Sequence, residues 1–237
     1  MDYPFHSASC SREARDGLWD IAPAMVAAIP IGLLFGALSA AKGLSALEVA
    51  LMGGLVFAGG AQFAAVEIWS YPVPLAAVPF STLLINARHV LMGASLAPKT
   101  RLFARWQRFL SFAVLADENW AFAERRAARQ PLTFAYFAGM GAAFWINWIV
   151  WSSLGAVLGS FLGDPKRLGA DFAFTALFIG VIGSFGRGRV TLLAIAASAG
   201  AATLAFLAFG APWHVAAGAV TGIGAAFLAA PREKPAG

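Results

Sequence analysis

A chain of 237 residues that is 59% hydrophobic and only 12% charged, with a mean hydropathy of +0.71, is not a water-soluble domain. It reads as an all-α integral membrane protein, a polytopic bundle of about 7–8 transmembrane helices. Its apolar runs of about 20 residues use nearly the whole length and leave no room for a soluble catalytic domain. The net charge of +5 and pI near 9.9 do not argue for nucleic acid. The basic residues gather in loops between apolar runs, where they face the cytoplasm and anionic headgroups.

Residues 1–20 form a polar N-terminal segment with Asp2, Arg12, Glu13, Arg15, Asp16 and Asp20. They lack the basic-then-apolar order of a cleaved signal peptide, so the first span is expected to act as its own insertion signal. The single Cys10 excludes an intrachain disulfide and a cysteine cluster. A single transmembrane domain follows over 21–230, closed by a short tail, 231–237, in which Arg232 and Lys234 read as cytoplasmic.

The first run, about Ile21 to Ala41, is centred on PIGLLFG at 30–36. Proline removes a backbone donor and glycine allows close approach, so a kink or break is expected at Pro30, with packing through Gly32 and Gly36. Either the glycines serve only helix packing, or exposed backbone at the break lines a cavity. The second run, about Ala46 to Trp69, has GGLVFAGGAQF at 53–63. Gln62 needs a hydrogen-bond partner in hydrocarbon, and the Gly59-Gly60 pair can unwind to supply backbone groups.

Tyr71-Pro72-Val73-Pro74 makes a turn into the third run, which reaches about Leu96 and carries Asn86, Arg88 and His89 in its second half. An arginine near the bilayer centre costs roughly 2.5–3.5 kcal/mol, so Arg88 needs a partner or a function, unless it snorkels to the interface beside Lys99 and Arg101. Asn86 and Arg88 lie about 200° apart on a regular helix, so a single polar face cannot hold both unless the helix is distorted. GASLAPKT at 93–100 resembles a phosphate-binding loop, but Pro98 replaces its second glycine and the preceding segment is a membrane run. Nucleotide binding is therefore rejected.

The segment 109–124 is flanked by basic clusters and interrupted by Asp117, Glu118 and Asn119. It is either a re-entrant or interfacial helix, or a true span with buried carboxylates, in which case Asp117 or Glu118 becomes an ion partner for Arg88 or a proton carrier. With it the chain has eight spans and both termini on one side; without it, seven and opposite sides. Then come Leu132 to about Leu162, with Trp145, Trp148 and Trp151 around Asn147, a short run at Phe172–Phe185, and two last runs, Val190–Phe209 and Trp213–Ala230. The tryptophan row reads as packing or lipid contact, or else as an apolar cavity wall.

No hydrolase, zinc-protease or redox motif is present, and His6, His89 and His214 are scattered, so neither an enzyme, a cofactor nor a metal site is expected. Broken, glycine-rich spans around polar groups suit an alternating-access carrier. PIGLLFG at 30–36, VFAGGAQF at 56–63, NARH at 86–89 followed by GASLAP at 93–98, and DENW at 117–120 together resemble the AzlC family over roughly the first half of the chain. The family often has Ser where Gly60 stands and Leu where Ala87 stands, both small departures.

The resemblance implies the large subunit of a branched-chain amino acid exporter in the bacterial cytoplasmic membrane, driven by the proton motive force. It also implies a small AzlD-like membrane partner. Self-association stays open. Combined with the residue reading, this assigns the substrate carboxylate to Arg88, Asn86, Gln62 and the backbone near Gly59 and Gly60. Asp117, Glu118 and His89 become candidates for the amino group, an ion pair or the coupled proton. The branched side chain would lie against Phe35, Phe57, Phe63 or the tryptophan row. The competing reading is a non-transporting structural or assembly subunit, in which NARH makes a folding ion pair.

Overall fold

The computed structural model describes residues 10–161, 179, 188–210 and 213–230, and every regular element among them is helical. In chain order these are α1 (Cys10–Ala41), α2 (Ala46–Leu55), α3 (Gly59–Glu67), α4 (Ala77–Asn86), α5 (Arg88–Leu96), α6 (Arg105–Ala113), α7 (Asp117–Ala127), α8 (Phe134–Phe161), α9 (Arg189–Phe209) and α10 (Trp213–Ala229). Contacts divide the chain into two compact units, Met1–Gln62 with Asn86–Leu168, and Phe63–Ile85 with Gly169–Gly237. The expected run at 172–185 and the tail at 231–237 lie outside the described residues.

The first unit is built on α1 and α8. α1 runs for 32 residues as one continuous helix that includes Pro23 and Pro30, so the chain does not break at Pro30. A proline costs the helix one hydrogen bond and a local clash, and here the long contact with α8 outweighs that cost. The contact is backbone against backbone: a Cβ on Gly36 would fall on the carbonyl oxygen of Ser152, one on Gly155 on that of Leu33, and one on Gly139 on that of Ala14. Small residues are what let two membrane helices approach so closely. Residues 10–20 are not a separate segment but the opening turns of α1.

This packing predicts that Gly36→Val destabilises the protein by at least about 1–3 kcal/mol, the usual range for overpacking. A thermal melt in detergent reads it as a lowered Tm. Gly93→Ala, where an added Cβ meets open space, is expected to leave Tm unchanged or slightly raised.

α1, α8 and α9 are the described helices long and apolar enough to cross a membrane; α2 and α10 are apolar but shorter. The second apolar run is split at 56–58 into α2 and α3, the third at Ala87 into α4 and α5, and the acid-containing segment at 114–116 into α6 and α7. Breaks of this kind leave helix-end amides and carbonyls without intrahelical partners. In the second unit α9 and α10 pack along Gly218 and Gly222, which face Ser198 and Ala202. Phe80 of α4 meets the Trp213 ring at 5.5 Å.

Candidate functional site

The first break is held shut by a buried glutamine. Gln62 is 1% exposed, its Nε2 donates to Met52 O at 2.8 Å, and its Oε1 accepts from Trp148 Nε1 at 2.8 Å. Val56 N also donates to Met52 O, so a carbonyl in the last turn of α2 accepts two hydrogen bonds. Gly59 and Gly60 are not the unwound residues, because the break falls just before them and they form the first turn of α3. Gly59 lies under the Trp148 indole, 3.2 Å from a would-be Cβ, whereas a Cβ on Gly60 would lie 3.5 Å from the Nη2 of Arg88.

The tryptophan row belongs to this packing. Trp148 stacks on Phe35 with centroids 5.9 Å apart, and Trp145 donates to Gly54 O. Trp151 donates to Asn147 Oδ1, and Asn147 in turn donates to Met25 O of α1.

The second break lies at Ala87, whose φ of −54° and ψ of −27° are still helical, so the distortion at this residue is slight. It suffices to aim the polar residues at the third break. Arg88 Nη1 donates to Asp117 Oδ2 at 2.7 Å. His89 sits between two carbonyls, with Nδ1 3.2 Å from Asn86 O and Nε2 3.2 Å from Leu115 O. A neutral imidazole donates to only one of these and an imidazolium to both.

At the third break, Asn119 is fully buried. Its Oδ1 accepts from Ala116 N at 2.9 Å and its Nδ2 donates to Val114 O at 2.6 Å, fixing the chain that delivers Asp117 and Glu118 to the first turn of α7. Anionic groups are favoured at that end of a helix. Sequence reasoning missed this role for Asn119. The available signal was its place at the third helical position, where a capping side chain reaches back to the backbone.

Two atoms at this meeting point are unsatisfied. Among the described residues, Arg88 Nε and Asn86 Oδ1 are both buried and without a hydrogen-bond partner, and a buried polar group left unmade costs about 1–3 kcal/mol. The Arg88 and Asp117 side chains are 39% and 48% exposed, so the ion pair is not enclosed. Glu118 lies within electrostatic reach of both. The structure therefore brings together Arg88, Asn86, His89, Gly60, Asp117 and Glu118. It turns Gln62 and Gly59 toward Trp148 instead.

Further polar ties escaped the sequence reading. Arg126 Nη2 donates to both Glu13 carboxylate oxygens at 2.9 Å, and Thr133 donates to Glu13 Oε2 at 2.7 Å. Lys99 pairs with Glu124, which also accepts from Ser95 Oγ at 2.9 Å. The segment 93–100 thus belongs to a helix end held by an ion pair and forms no phosphate cradle. Among the described residues no group of three or more His, Cys, Asp or Glu side chains is placed to hold a metal ion.

Comparison with known proteins gives a match to the AzlC protein family over residues 23–162, which contains all three breaks. An uncharacterised membrane protein of Archaeoglobus fulgidus is 31% identical over 85% of this chain and 88% of its own length. The inner membrane protein YgaZ of Escherichia coli is 30% identical over 87% of this chain and 86% of its own. The branched-chain amino acid transport protein AzlC of Bacillus subtilis is 28% identical over 63% of this chain and 58% of its own. No solved structure matches.

Proposed function

Because the chain belongs to the AzlC family of membrane proteins, we propose that it is the large, substrate-binding subunit of a secondary carrier. On this reading it exports branched-chain or similar hydrophobic amino acids across the cytoplasmic membrane, coupled to protons. The observation that carries the reading is the pair of unsatisfied buried atoms, Arg88 Nε and Asn86 Oδ1, beside a half-exposed ion pair where three broken helices meet. A donor and an acceptor left open two residues apart in the chain are complementary to the carboxylate and ammonium of a free amino acid.

The Nε and Nη2 edge of Arg88 offers a planar fork that matches a carboxylate with two parallel hydrogen bonds. Its Nη1 stays on Asp117. The first-turn amide of α3 at Gly60, which helix geometry leaves without an intrahelical acceptor, adds a donor beside the fork. Asn86 Oδ1 and Asp117 then accept the ammonium group. Gln62 acts one step back, by holding the break that presents Gly60 to Arg88. The side chain lies against the aromatic surface of Trp148 and Phe57.

Asp117, Glu118 and His89 are the groups able to carry the coupled proton. Protonating Asp117 frees Arg88, and protonating His89 satisfies the carbonyls of Asn86 and Leu115 together, so a proton at either place changes how the second and third breaks are tied. A membrane potential supplies about 2.3 kcal/mol per charge per 100 mV, enough to bias such an exchange. The reading includes a bundle of seven to eight spans and a small AzlD-like partner subunit.

The test is efflux of radiolabelled leucine, isoleucine and valine from proteoliposomes containing the chain, with and without the small hydrophobic partner. An imposed pH gradient is expected to accelerate efflux of at least one of the three. Gradient-independent leakage equal to that of empty vesicles, with the partner present, would overturn the proposal.

A further inference from the structure

A second polar pocket lies outside the broken-helix site. It has a volume of about 320 Å³ and is lined by Asp16, Trp19 and Asp20 of α1 and by Arg125, Arg126, Arg129 and Gln130 at the end of α7. The two walls carry opposite charge, yet among the described residues no ion pair joins them across the cavity.

Part of the lining is already committed. Arg126 is held by Glu13 and lies over the Tyr136 ring at 4.4 Å; Asp20 Oδ2 accepts from the Tyr136 hydroxyl at 2.6 Å. What remains open is the other oxygen of Asp20, the Asp16 carboxylate, the Arg129 guanidinium and the N–H edges of Arg125, whose guanidinium lies over the Phe122 ring. The side chains of Asp16 and Arg129 make no ion pair among the described residues.

A simple anion placed here would meet two carboxylates, and a simple cation would meet the arginines. A molecule carrying both charges satisfies both walls. We propose that this pocket binds a zwitterion bearing a primary ammonium and an oxyanion a few bonds apart. The oxyanion lies on Arg125 and Arg129 and the ammonium on Asp16 and Asp20. The pocket sits where the polar opening turns of α1 give way to its apolar run, with Trp19 70% exposed on its rim, the placement of an interfacial tryptophan. Two sources share this chemistry, the headgroup of an aminophospholipid and a free α-amino acid. The inference does not depend on the central site.

The test is isothermal titration of the full chain in detergent, in an Arg88→Ala background so that the central site contributes nothing. Dihexanoylphosphatidylethanolamine and leucine are the two zwitterions; dihexanoylphosphatidic acid and 4-methylpentanoate are their counterparts without the ammonium. At least one zwitterion is expected to bind about tenfold more tightly than its counterpart, and Asp16→Asn and Arg129→Gln are each expected to weaken it about tenfold, the loss of one charge-assisted contact.

Binding of the lipid alone assigns a headgroup site, and binding of leucine alone assigns a solute site. Failure of both zwitterions to bind, equal binding of the counterparts, or binding indifferent to both substitutions overturns the proposal. The counterpart comparison in the Arg88→Ala background makes the same distinction without the Asp16 and Arg129 substitutions.

Discussion

Arg88→Ala is expected to abolish export while leaving the protein folded, because it removes the only guanidinium at the meeting of the three breaks among the described residues. A hydrogen bond to a charged group is worth about 1.5–3 kcal/mol, and loss of a bidentate pair therefore predicts a drop in transport rate of at least about a hundredfold at subsaturating substrate. Arg88→Lys keeps the charge but not the fork, and is expected to retain weak transport with a raised KM. Efflux from proteoliposomes at several leucine concentrations separates the two. Unchanged export by the alanine variant would remove Arg88 from the site.

The same pair separates a carrier from a purely structural subunit. Arg88 Nη1 and Asp117 Oδ2 are 2.7 Å apart, so exchanging the two residues, Arg88→Asp with Asp117→Arg, preserves an ion pair across the breaks while reversing its polarity. Recovery of Tm without recovery of transport favours the carrier. Recovery of both favours a folding role.

The second large effect is on stability. Arg126→Ala is expected to cost about 3–5 kcal/mol, the range for stripping one partner from a buried ion pair. The Arg126 and Glu13 side chains are only 11% and 12% exposed, and the carboxylate left behind keeps Thr133 as its one remaining partner among the described residues. This contact joins the opening turns of α1, the end of α7 and the start of α8, so its loss loosens the end of the first unit. A detergent melt should show a large fall in Tm. The double variant Glu13→Leu/Arg126→Leu, which leaves no unpaired charge, should fall less. A single variant as stable as the parent would show that the pair contributes nothing.

The site was legible in the sequence where chemistry forces a choice. Arg88 in an apolar run demands a partner, and Asp117 was one of two acids at hand. The glycines of α1 announced a close helix contact, although not that α8 would make it or that it would carry α1 unbroken past Pro30. Asn119 and the Glu13–Arg126 tie were not legible. Both depend on which residues far apart in the chain, or across a break, come within 3 Å, and neither has a local pattern strong enough to show it.

By itself, the sequence determined the class of the protein. Composition and run length require a helical membrane protein, since backbone polar groups in hydrocarbon must be satisfied within the chain. It also marked the runs whose polar and glycine residues conflict with plain spans. Only the tertiary structure decided where those runs break and what each polar group touches. Gln62 looked like a ligand group, yet Met52 and Trp148 use both ends of its amide. Asn86 and Arg88, which a regular helix would turn apart, instead keep open the acceptor and donor that the fold leaves unsatisfied. Hydrogen bonding is local in space and not in sequence, so the difference between a structural amide and a binding amide appears only once the helices are packed.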